Sequence, residues 1–243
     1  MTDQSNSLPG YFDVTYVINL KERTDRRAAV EKEFEKLGWT EFQFFPAIKF
    51  DDAGGFKSTG WRGCFSSHLE CLREARRHNF KNVLIFEDDI TLSSSVPRLT
   101  PGIIATLRNL DWDILYFGHE NTGQIPRATR NTVSFALERC DIEFPTAHFY
   151  AVNQGIMPRL IAHFERLEKG TPGDNDFGPM PPDGALNTFR RHNKDVMTYI
   201  VNPKLGWQRP SRSDLSPSRL DGITVLRPFI SIARNIKHFL SRD

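Results

Sequence analysis

The chain has 243 residues, 39% hydrophobic and 26% charged, which suits a folded protein of one large domain or two small ones. Its 32 basic and 30 acidic residues leave a net charge of +2, so nothing in the global balance marks a nucleic-acid binder. Three widely spaced cysteines (Cys64, Cys71, Cys140) imply no disulfide framework and suit a reducing compartment. The polar stretch Met1–Gly10 lacks the apolar core of a signal peptide, and the chain does not end in a retention tetrapeptide. No run of about 18 apolar residues occurs, so no membrane span is expected.

Taken in order, Val14–Leu20 is β-rich and predicts a first strand, followed by a helix over Ala28–Leu37 that Gly38 ends. Phe42–Phe45 reads as a short strand, and the glycine-bearing stretch Asp51–Gly63 as a functional loop. Ser66 or Ser67 can cap a helix running to about His78, with Leu69, Leu72 and Ala75 at helical spacing. Then comes the pivotal stretch, Val83-Leu84-Ile85-Phe86-Glu87-Asp88-Asp89-Ile90. Four apolar residues running into three acids describe a central strand buried on both faces, with its polar tip at the carboxyl end. In open α/β sheets ligands sit at those ends. Crowded carboxylates repel, and a hard divalent cation relieves them. If strand geometry continues, Glu87 and Asp89 point the same way and can share one ion; the alternative is an acidic turn after a core strand.

Further along, Pro101–Leu110 predicts a helix and Asp113–Phe117 a strand, while Asn121–Arg139 reads as loop-rich. Ala147–Val152 predicts a strand, Met157–Leu167 a helix, Lys169–Pro182 a loop, Asp183–His192 a short helix and Met197–Val201 a closing strand. This alternation predicts an α/β fold, a single mostly parallel twisted sheet flanked by helices. A boundary near Ser218 separates residues 1–218, the main domain, from a tail of residues 219–243. In that tail Phe229, Ile232, Ile236, Phe239 and Leu240 keep helical spacing among basic residues. Such a helix can pack on its own domain or rest peripherally on an anionic membrane surface.

Several smaller groups can carry chemistry. Arg23, Arg26 and Arg27 follow the first strand, where cations can hold a phosphate; equally they are a solvated helix start. No glycine-rich dinucleotide fingerprint or P-loop is present. Cys64, His68 and Cys71 can share a helical face, but structural zinc needs four ligands in close-set pairs and no second pair stands out. A buried free cysteine is more commonly a small hydrophobe. Asp183, behind two prolines, is either a helix cap or a rigidly held base. The segment Gln208–Asp214 can fold over an anionic ligand or remain a surface tail.

In this order the motifs resemble glycosyltransferase family 25. Val17-Ile18-Asn19-Leu20 with Arg23 and Asp25-Arg26-Arg27 is similar to its opening block, and Gly63-Cys64-Phe65-Ser66-Ser67-His68 to its Gly-Cys-x-x-Ser-His block. Val83–Ile90 resembles its Leu-Glu-Asp-Asp signature; Pro182-Asp183 and Gln208 through Ser213-Asp214 resemble its closing blocks. Phe65 and the loop before Gly63 depart from the pattern. The resemblance implies a GT-A-like fold and an inverting enzyme that moves a hexose, galactose foremost, from a UDP-sugar to a glycan acceptor such as lipooligosaccharide. By position it assigns a Mn²⁺ or Mg²⁺ ion to Glu87 and Asp89, and puts Asn19, Arg23, Arg27, His68 and Asp88 near the nucleotide. An inverting reaction needs one base, for which Asp183 is the first candidate and Asp214 the second. With no secretory features in the sequence, the expected setting is cytoplasmic, and the basic tail allows peripheral contact at the inner face of a membrane as an alternative to packing on the domain. Two other classes use the same residues: a non-catalytic nucleotide-sugar-binding member of the fold, and a metal-dependent phosphoesterase.

Overall fold

A computed structural model describes residues 7–120 and 135–209. The elements are α1 (Leu8–Tyr11), β1 (Val14–Asn19), α2 (Thr24–Glu35), β2 (Gln43–Pro46), α3 (Thr59–Arg77), β3 (Asn82–Glu87), β4 (Ile90–Leu92) and α4 (Val96–Leu107). They continue with β5 (Ile114–Tyr116), β6 (Ala136–Arg139), β7 (Phe149–Asn153), α5 (Met157–Glu168), α6 (Pro182–His192), β8 (Thr198–Asn202) and β9 (Gly206–Gln208). Seven strands form one sheet in the order β2-β1-β3-β7-β5-β8-β6, and β4 pairs with β9 in a separate ribbon. β7 runs antiparallel between β3 and β5, and β6 is antiparallel to β8; the other five strands share one direction. The mostly parallel sheet flanked by helices expected of a GT-A-like fold is therefore present.

Alternation along β3 divides its side chains between two cores. Val83 and Ile85 join Phe65, Leu69 and Leu72 of α3, Phe164 of α5 and Phe189 of α6. Leu84 and Phe86 face the other way, onto Val30 and Phe34 of α2 and Val96 and Ile103 of α4. All four strand residues are fully buried, which is why the run carries no alternating polar residue. Truncating any one to Ala would cost about 2–5 kcal/mol. The acids that follow are thus mounted on a strand buried on both faces.

Several elements start elsewhere than the sequence indicates; α2 begins at Thr24 rather than Ala28. α3 begins at Thr59, inside the stretch read as a loop, because the Ser58 side chain accepts from the Trp61 amide and caps it there. Ser66 and Ser67 are consequently interior and buried. α4 begins at Val96 and carries Pro101 within it, rather than starting there. β6 arises from Ala136–Arg139, at the end of the stretch read as loop-rich. α1, β4 and β9 are too short to leave a periodic signal. The boundary near Ser218 and the tail 219–243 lie outside the described residues. No helix among the described residues is long and apolar enough to cross a membrane.

Candidate active site

The chain turns as it leaves β3, so strand geometry does not extend from Glu87 to Asp89. The two carboxylates meet through the β4–β9 ribbon instead. Its register sets Gln208 opposite Ile90. From there the Gln208 amide donates to Glu87 Oε2 at 3.3 Å and to Asp89 Oδ2 at 3.2 Å. Asp88 turns the other way and is clamped: it accepts from Asn19 Nδ2 at 2.7 Å and from Arg26 Nη1 at 2.7 Å. Arg26 Nη1 also lies 3.5 Å from Asp89 Oδ2. Asp89 Oδ1 is buried and has no hydrogen-bond partner among the described residues. Burial, and then the charge of Glu87, push the Asp89 carboxyl up to about 7. Burial also works against Glu87, but the hydrogen bond and charge of His68, with His148 and Arg26 behind it, hold that carboxyl below its ordinary value. A buried carboxylate oxygen without a partner, set among crowded acids, is a donor set that fits a hard divalent ion.

Helix α3 forms the second wall. Cys64 and His68 lie one helical turn apart and so share a face. His68 Nε2 is 3.3 Å from Glu87 Oε1, and its Nδ1 is 2.9 Å from the Tyr150 hydroxyl. The Cys64 thiol reaches the same Glu87 oxygen at 3.9 Å. Burial and the surrounding acids push that thiol well above its ordinary value. Cys71 takes no part: it is buried in the core beneath α3. The helix is stitched to the chain after β2, where Ser67 Oγ accepts from the Ile48 amide at 2.9 Å and donates to Gly63 O at 2.6 Å. A Cβ on Gly63 would lie 2.5 Å from Ile48 O, so only glycine permits this approach.

Between these walls is a cavity of about 200 Å³. Ile18, Leu20, Ala47, Ile48 and Phe50 give it an apolar side, while Arg26, Glu87, Asp88, Asp89 and Gln208 give it a charged floor. Lys49 and Cys64 also line it. Of the arginines that follow β1, Arg26 is the one on this floor. Arg23 pairs with Asp25 at 2.9 Å. Arg27 pairs with Glu31 at 3.2 Å and lies over the Phe44 ring. Neither lines the cavity. Asn19 is at the β1 exit but is spent on Asp88 and on the Arg23 carbonyl. His68 lies behind the floor, fully buried.

Asp183 sits in the first turn of α6, as its position behind the prolines indicates. Burial, followed by the charge of Glu87, pushes its carboxyl up, so it belongs to the same electrostatic neighbourhood. Asp214 lies outside the described residues. Sequence reasoning missed His148. It is fully buried and is held down at about 4 by burial, with the charge of Glu87 pulling the other way. A lone histidine before an apolar strand gives no sign of this.

A mostly parallel α/β sheet that presents carboxylates from a central strand tip to a half-apolar, half-charged cavity has the architecture of a ligand-binding α/β protein. Residues 12–58 and 54–157 match the model of the family described as "Glycosyltransferase family 25 (LPS biosynthesis protein)". The chain belongs to glycosyltransferase family 25. It is 33% identical over 127 residues to a "Glycosyltransferase 25 family member" of Anopheles gambiae, covering 43% of this chain and 21% of that protein. It is 28% identical over 224 residues to "Procollagen galactosyltransferase 1-A" of Xenopus laevis, covering 80% of this chain and 35% of that protein. The chain thus spans about a fifth to a third of the length of these relatives. A solved glycosyltransferase involved in glycosylating the major capsid of PBCV-1 aligns with 82% of this chain and 93% of its own at 7% identity. Its TM-score of 0.47 is too slight a likeness to bear on function.

Proposed function

We propose that the protein transfers a hexose, galactose in the first instance, from a UDP-sugar to a glycan hydroxyl with inversion, assisted by Mn²⁺ or Mg²⁺. One observation carries this reading: Glu87 and Asp89 converge on Gln208 at the cavity floor while Asp89 keeps a buried oxygen without a partner. Glu87 and Asp89 would hold the ion, which when bound supplies positive charge against the departing diphosphate. Arg26 faces the same floor and adds to that field, and its bond to Asp88 keeps it aimed there. The apolar side formed by Ile18, Leu20 and Phe50 suits the flat face of a base, and Lys49 suits a phosphate oxygen.

Asp183 is the proposed base. Its raised carboxyl pKa brings proton affinity closer to what is needed to take a proton from an acceptor hydroxyl, and the α6 helix start holds it fixed. Asp214 remains the second candidate. A lipooligosaccharide-type glycan is the acceptor we favour, and the free state of all three cysteines suits a cytoplasmic setting, peripheral to the membrane. The test is donor screening with manganese, reading UDP release with and without acceptor glycans. Acceptor-dependent release from UDP-galactose is expected. Release of phosphate or nucleotide at equal rates without acceptor would instead indicate a phosphoesterase, and saturable binding without turnover a binding protein.

A further inference from the structure

We propose that Cys64, His68 and Glu87 form a second kind of metal site, one for a thiophilic divalent cation such as Zn²⁺, distinct in chemistry from the oxygen site at Glu87 and Asp89. Their ligand atoms, Cys64 Sγ, His68 Nε2 and a Glu87 carboxylate oxygen, all lie within 4.8 Å of one another. Tetrahedral zinc, with bonds of about 2.3 Å to sulfur and about 2.0 Å to nitrogen and oxygen, needs edges of about 3.3 Å from N to O and about 3.6 Å from S to O. The observed edges are 3.3 Å from His68 Nε2 and 3.9 Å from Cys64 Sγ to Glu87 Oε1. The remaining edge, from Cys64 Sγ to His68 Nε2, is within 4.8 Å and would contract to about 3.6 Å on binding.

The surroundings fit as well. The ring of a metal-bound histidine is normally fixed by a hydrogen bond from its other nitrogen, and His68 Nδ1 has the Tyr150 hydroxyl at 2.9 Å. Glu87 uses its other oxygen, Oε2, for Gln208, leaving Oε1 to face the sulfur and the imidazole. Cys64 and Glu87 both line the cavity, which gives an ion a route in and leaves room for a fourth ligand from solvent. On binding, the Cys64 S–H proton is released to solvent and a metal–sulfur bond replaces it. Because Glu87 belongs to both sites, the two cations exclude one another, and zinc is expected to inhibit manganese-supported turnover. That last consequence rests on the proposed transferase reading; the site itself does not.

Cobalt(II) titration of the purified chain tests it without any assay of transfer. A thiolate-to-cobalt charge-transfer band is expected, displaced by one equivalent of Zn²⁺. Cys64→Ser should abolish the band and weaken zinc binding by about a hundredfold or more, Tyr150→Phe by about tenfold, while Cys71→Ala keeps both. Asp89→Asn should retain the band, which separates this site from the oxygen site. A band that survives in Cys64→Ser, or none in the wild type, would overturn the proposal. If Cys64→Ser does not fold, X-ray absorption of the zinc-loaded wild type decides instead: one sulfur at about 2.3 Å supports the site, and only nitrogen and oxygen ligands refute it.

Discussion

Two buried charged regions near the same end of the sheet are treated in opposite ways. Around Arg190 the guanidinium donates to Asn187 Oδ1 and to the Cys140 and Ile142 carbonyls, and lies over the Tyr116 and Phe144 rings. That charge binds loop to helix and has work to do without any ligand. Around Asp89 two acids, Asp88 and Asp89, share Arg26 beside a third, Glu87, and one buried oxygen is left over. Among the described residues Arg190 keeps one buried nitrogen, Nε, without a partner, yet no like charge crowds it; around Asp89 the unpartnered oxygen sits among neighbouring acids, where a cation would be favourable.

The comparison breaks if the acids prove dispensable. Glu87→Ala or Asp89→Ala should lower turnover by about 10²–10³-fold or more with the fold retained, read as UDP release beside a circular-dichroism melt. Asp89→Asn sharpens the point through its sign. A carboxyl pushed from 3.8 up to about 7 on folding stabilises the folded state fully below pH 4 and loses that contribution as pH rises through 7. The metal-free mutant should therefore be more stable than wild type at pH 8, by on the order of 2–4 kcal/mol, while being inactive. Equal melting temperatures would mean the acids are compensated already.

Arg190→Met should do the reverse. It leaves the Cys140 and Ile142 carbonyls and Asn187 short of donors and should cost about 3 kcal/mol, or roughly 6–12 °C of melting temperature. His148 tests burial that outweighs a nearby opposite charge, that of Glu87. Its imidazole is held at about 4, below the 6.5 of the unfolded chain, so it stabilises above pH 6.5 and that contribution is lost as pH falls towards 4. His148→Phe should remove part of the histidine-linked acid sensitivity and leave the rest, because His163, also held at about 4, and His119, lowered by burial, remain. The smallest effect separates the arginines. Arg26→Ala should raise the donor KM about tenfold, and Arg27→Ala, an exposed pair with Glu31, by less than about twofold.

The acids were legible because Val83–Phe86 is apolar at every position and stops abruptly at Glu87. The reversal of β7 was not, since Phe149–Val152 is buried on both sides and such a run reads the same in either direction. Arg26 could not be told from Arg23 and Arg27 by composition. Its role depends on where α2 begins, at Thr24 rather than at Ala28, and that start carries no side-chain cap to announce it. Gln208 was visible only as part of a polar segment, because a three-residue strand such as β9 leaves no periodicity. Cys64 and His68 showed their shared helical face, but their third partner lies on another element. Only the folded chain pairs them with Glu87 instead of Cys71.

Where α3 crosses Ile48, a single hydrogen on Gly63 acts as the spacer of the whole cleft. A methyl group there would lever the helix outward and carry the sulfur and the imidazole with it, so the aperture for a nucleotide and the bite of three ligating atoms are dimensioned by the same missing carbon.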